Sequence, residues 1–182
     1  MERKISGKYV AVLKLDPGKP IAGDLSNPNA PLQSLAKQLC SFKLVFGPQL
    51  EKSMKLAVEA LFEEVVFVPK SETPVKIHDF NAVGGIALTL TNMTPRGSCV
   101  GTVCNADLDF TIRVRIYHPG HDKFEKEITR GGFKGGHGLW SQCFMMTRLL
   151  IEAQDLAIQN RQKELVKTVA EADAVSYTHL RA

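Results

Sequence analysis

A glycine-rich segment, Gly131–Gly138, is the part of the sequence that most resembles a binding site. It precedes a predicted helix, where consecutive glycines can turn backbone N–H groups toward an anion and the helix dipole favours negative charge. The candidate ligand-binding residues are Gly131, Gly132, Lys134, Gly135, Gly136 and His137. The segment matches neither the phosphate-loop pattern G-x-x-x-x-G-K-[ST] nor the dinucleotide-binding pattern G-x-G-x-x-G. A flexible strand-to-helix connector is therefore the competing interpretation.

Two histidines and an aspartate surround a predicted turn, at His118, His121 and Asp122, and His137 follows at a distance. Imidazole and carboxylate groups are zinc ligands. Turns are also ordinarily polar and solvated, which explains the same residues without a metal. We prefer that interpretation, so the sequence predicts no metal site and no cofactor.

The four cysteines are Cys40, Cys99, Cys104 and Cys143, and none forms a C-x-x-C pair. Cys99 and Cys104 flank a short segment that would close as a disulfide loop in an oxidising compartment. Two free thiols are the alternative, because spacing alone does not decide the bond. Cys143 lies on an apolar helical stripe, where a small hydrophobe is expected. With no nucleophile motif and no paired carboxylates, the sequence predicts a protein that is not an enzyme.

Charge and composition are those of a globular protein without a nucleic-acid surface. Of 182 residues, 44% are hydrophobic and 23% charged, and the net charge is +4. The basic residues are scattered among acidic ones, whereas nucleic-acid binders cluster them. Arg113 and Arg115 alternate with apolar residues and are interpreted as a solvated sheet face. We predict no nucleic-acid partner.

The elements that must position these residues follow from hydrophobic periodicity. Strands are predicted at Tyr9–Leu15, Phe42–Phe46, Val65–Val68, Gly85–Thr91, Leu108–Ile116 and Phe124–Thr129. Apolar residues at helical spacing predict a helix that begins at Pro48 and a longer one over about 139–172. At 1.5 Å per residue the longer helix measures about 50 Å. Because that exceeds a small sheet, its distal half is predicted to project or to contact a partner.

This order of elements predicts an α+β fold, with an antiparallel, possibly mixed, sheet of about five strands packed on two amphipathic helices. Residues 1–173 form one domain, and 17–38 form a long loop rich in proline. Helical periodicity stops near Asp173. The tail, 174–182, resembles translated sequencing-adapter read-through and is predicted to be non-native or disordered.

Five segments of the sequence, followed by a long helix, set the order of its elements: Phe42–Phe46, Gly47–Ser53, Ala60–Val65, Asn81–Thr94 and Leu108–Ile116. This order resembles that of the small envelope lipoproteins of Gram-negative bacteria, of the lipopolysaccharide-assembly lipoprotein type. It implies a non-enzymatic protein that is held at the membrane by a lipidated N-terminal cysteine. Neither a signal peptide nor such a cysteine occurs near Met1.

The leading hypothesis is a non-catalytic accessory or assembly protein on the periplasmic face of the bacterial envelope, which acts through protein–protein contacts. Membrane association would then require a lipid anchor that this sequence lacks. The alternative is a small-ligand or anion-binding domain, possibly an enzyme, that uses the Gly131–Gly138 segment. A reading frame that truly starts at Met1 favours a cytoplasmic location for this alternative.

Overall fold

The structure is a computed structural model that describes residues 4–16, 21–24, 41–44, 46–69, 77–100, 103–119, 123–129, 131–137 and 142–179. The strands are β1 (Ile5–Lys14), β2 (Ile21–Asp24), β3 (Ser41–Leu44), β4 (Phe62–Val68), β5 (Gly84–Val100), β6 (Val103–Tyr117), β7 (Phe124–Ile128) and β8 (Gly132–His137). The helices are α1 (Gly47–Leu61) and α2 (Gln142–His179), and a short 3-10 turn spans Ile77–Phe80.

Six of the strands form one mixed sheet, which confirms the predicted α+β class. Its order is β4–β1–β5–β6–β7, and β8 also pairs with β6. β1 runs parallel to both β4 and β5, whereas every pair that involves β6 is antiparallel. β2 and β3 form a separate two-stranded ladder. The predicted loop 17–38 therefore contains one strand, and its other residues lie outside the described ranges.

A long hairpin is the backbone of the sheet. β5 has 17 residues and β6 has 15, and they pair from Gly85–Tyr117 to Val100–Val103 with one irregularity between Leu90 and Asn92. At about 3.3 Å per residue, β6 is about 50 Å long. The length of β6 therefore equals the length predicted for the long helix, which was expected to extend beyond the sheet.

β7 and β8 together form one interrupted edge strand along β6. Ile128 lies opposite Ile112, and Gly132 lies opposite Leu108, four residues further along both strands. The two segments therefore keep a single register on β6. We call the unpaired stretch between them, opposite Asp109–Thr111, the edge gap.

Both helices cover the same face of the sheet. The buried side of α1 is Leu50, Met54, Ala57 and Val58, as its periodicity predicts. α2 is buried from Met146 to Ala172, and Leu165 and Val169 belong to the main core. The prediction that the distal half of α2 projects is therefore wrong for residues up to Ala172, because the hairpin beneath it is equally long. The backbone of α2 continues as a helix to His179, past the point where periodicity ends.

The opposite face of β1 is also buried. Val10 and Val12 form a second cluster with Val68, against which Phe80 and Ala82 pack. A strand between two parallel neighbours is commonly covered on both faces, which explains the continuous apolar run of β1.

Candidate functional site

The predicted ligand segment is an edge strand rather than a loop. Gly132–His137 pairs with β6 from Leu108 to Val103. Gly132 is buried, and a Cβ atom there would clash with the carbonyl oxygen of Ala153 and lie 2.6 Å from the backbone nitrogen of Ala157. The glycine therefore allows α2 to approach β8 closely. Close packing against α2 therefore explains why residue 132 is a glycine, and this explanation needs no ligand.

The other candidate residues do not converge on one point. Lys134 is half-buried on the helix side of the sheet, whereas Phe133, Gly135 and His137 are exposed on the opposite side. Successive N–H groups of a strand also point to opposite edges, so they cannot cradle one anion as a phosphate loop does. Gly131 lies outside the strand, at the edge gap. Ligand binding by these residues stays a prediction.

The edge gap is filled by side chains of α2. Arg161 donates a hydrogen bond from Nη2 to the carbonyl oxygen of Phe110, and Asn160 Nδ2 donates to the carbonyl oxygen of Gly131, at 3.1 Å. The Arg161 guanidinium also lies 4.7 Å from the centre of the Phe110 ring. α2 thus supplies hydrogen bonds to carbonyl groups on both sides of the gap.

Arg161 is fully buried, with an exposed fraction of 0%. Its Nη2 lies 3.5 Å from Oδ1 of Asp109, a side chain that is 43% exposed. Its Nε and Nη1 have no hydrogen-bond acceptor among the described residues. Burial lowers the pKa of Arg161 to about 10, although Asp109 opposes that shift. The guanidinium therefore remains charged at neutral pH and is a costly group to bury.

Arg161 is the residue that sequence reasoning missed. It lies on the buried side of α2, between Ile158 and Leu165. The helical pattern of apolar residues predicts an apolar side chain at this position. A long cationic side chain on an apolar stripe was the available signal, because a charge is buried only where it finds partners.

The outer face of β6 and β7 carries a ladder of paired charges. Arg113 bonds Glu127 at 2.9 Å, and Arg115 bonds Glu125 at 3.0 Å. Lys123 also contacts Glu125. The hydrogen bonds from Lys123 and then Arg115 lower the pKa of Glu125 to about 2. The predicted solvated face is thus exposed, but its arginines are already neutralised by carboxylates.

Cys104 is disulfide-bonded and is 1% exposed. Its register partner across the hairpin is Cys99. Cys104 is therefore not a free thiol, which excludes the alternative of two free thiols that the spacing left open. The identity of its bonding partner as Cys99 stays a prediction.

The predicted turn ligands are only partly described. His118 is half-buried and its ring makes an edge contact with Tyr9, with centroids 5.8 Å apart. His121 and Asp122 lie outside the described residues, as does the side chain of Cys143. Within the described ranges, no group of three His, Cys, Asp or Glu side chains is arranged to hold a metal ion.

A shallow groove follows the exposed side of α1. It has a volume of about 620 Å³ and is lined by Asp16, Gly47, Pro48, Glu51, Lys52, Lys55, Leu56 and Glu59. Leu56 is half-exposed, and Lys55 and Glu51 are joined by an ion pair. Neither helix, over its described length, has the run of apolar residues that crossing a membrane demands.

No protein-family model matches the chain. No curated protein matches it either. Similar solved structures include a minor lipoprotein from Acinetobacter baumannii, with 11% identity, coverage of 94% of this chain and 96% of that chain, and a TM-score of 0.48. A Xanthomonas campestris protein of the DUF330 family also has 11% identity and a TM-score of 0.48, with coverage of 94% and 90%.

An uncharacterized lipoprotein B from Nitrosomonas europaea has 13% identity, covers 90% of this chain and 85% of that chain, and has a TM-score of 0.38. Two of these three neighbours are lipoproteins by name. The lipopolysaccharide-assembly type is not among the three. Likenesses at these identities and scores concern the fold and carry no argument about function.

Proposed function

We propose that the protein is a non-catalytic accessory or assembly protein on the periplasmic face of the bacterial envelope, which acts through protein–protein contacts. The observation that carries the location is the disulfide at Cys104. Disulfides persist in the periplasm and on cell surfaces, whereas the cytosol keeps thiols reduced.

The contact role is supported by the distribution of exposed apolar groups. Phe133 on β8 is 62% exposed and Leu56 on α1 is 56% exposed, and they lie on different sides of the domain. Isolated exposed apolar residues are normal on any protein. Phe133 differs because it stands on an edge strand, which offers a partner backbone hydrogen bonds as well as apolar surface.

The test is fractionation of the source bacterium, combined with thiol trapping. An antibody to the chain follows its distribution between cytoplasmic, periplasmic and membrane fractions. Cells are quenched in acid and denatured, and a maleimide added with and without reductant then reports whether Cys104 was bonded in the cell. We expect the protein in the membrane or periplasmic fraction with Cys104 protected from the reagent.

Two results would overturn the location. One is a cytoplasmic protein with a reactive Cys104 thiol. The other is a protein in the periplasmic or membrane fraction whose Cys104 reacts fully without reductant, because the disulfide that carries the location would then be absent. The contact role is tested separately, by crosslinking within intact cells. A protein that crosslinks to no other chain would contradict it.

A further inference from the structure

We draw no further inference here: the strongest candidate, the side-chain cluster in the edge gap formed by the buried Arg161 and the half-exposed Asp109, carries none, because its contacts belong to the packing of α2 on β6 already described and nothing in the described part of the chain opens it to a ligand.

Discussion

β7 and β8 both pair with β6 in a single register, yet the side-chain contacts that hold the two segments in place differ. β7 buries Ile128 in the core and adds paired charges, with Glu125 and Glu127 on the outer face and Lys126 bonded to α2. β8 joins the protein through close packing, because Gly132 lets Ala153 and Ala157 of the helix touch the strand backbone. Two segments on the same edge of a sheet can therefore be stabilised by different contacts. They can also differ in how well they are protected from pairing with another chain.

The edge gap lies between β7 and β8. Arg161 and Asn160 reach into it from α2 and bind carbonyl groups that no ladder partner in the described residues takes. The helix thus acts as a substitute for part of the strand. This arrangement ties the register of β6 to the position of α2, and its disruption should affect β7 and β8 together.

The comparison predicts its largest effect at the close contact of β8. Gly132→Ala should lower the free energy of unfolding by more than about 3 kcal/mol, because the new methyl group meets the helix backbone, which cannot move aside like a side chain. Urea unfolding followed by circular dichroism measures this. The matched control is Gly135→Ala, whose nearest atom belongs to the Asn105 side chain, and we expect less than about 1 kcal/mol. Equal costs would show that close packing does not distinguish the two glycines.

The second effect concerns the edge gap. Arg161→Ala should cost about 3 kcal/mol, because it removes the hydrogen bond to Phe110 and leaves Asp109 without its counter-charge. Lys163→Ala, an exposed cation on the same helix, should cost less than about 0.5 kcal/mol in the same urea titration. Hydrogen exchange in β7 and β8 should rise together in the Arg161 variant. A rise confined to one of them would contradict the coupling.

A third, smaller effect is expected from the disulfide at the far end of the hairpin. Reduction should lower the free energy of unfolding by about 2 kcal/mol if the bond closes the short loop from Cys99 to Cys104. The tryptic peptide Gly97–Arg113 contains both cysteines. Under non-reducing conditions its mass should therefore be lower by two hydrogen atoms. A peptide crosslinked to one that carries Cys40 or Cys143 would instead identify a different partner.

The smallest effect is the response of β7 to acid. The pKa of Glu125 is lowered from 4.5 to about 2, so the stability that its ion pairs contribute is present above about pH 4.5 and is lost as pH falls toward 2. A carboxyl carbon NMR titration of Glu125 should have its midpoint near pH 2. Lys123→Ala should move this midpoint upward, because it removes the hydrogen bond that lowers the pKa most. An unchanged midpoint would assign the shift to Arg115 alone.

Local periodicity was sufficient to predict most elements. The alternation from Leu108 to Ile116 indicated a strand with one buried face, and the stripe Leu50–Met54–Val58 indicated an amphipathic helix. These patterns come from the geometry of a single element, with two residues per strand repeat and 3.6 per helical turn. The amino-acid sequence by itself therefore determined the α+β class, the two helices and the central parts of β5 and β6.

Only the tertiary structure decided what the glycines and Arg161 do. Six residues such as Gly132–His137 carry little side-chain pattern, so their conformation depends on whether β6 offers a free edge. The distal half of α2 is buried because the hairpin is as long as the helix, and no local pattern measures that length. A buried guanidinium likewise depends on carbonyl groups from a strand about 50 residues away in sequence, a distance that local propensity does not span.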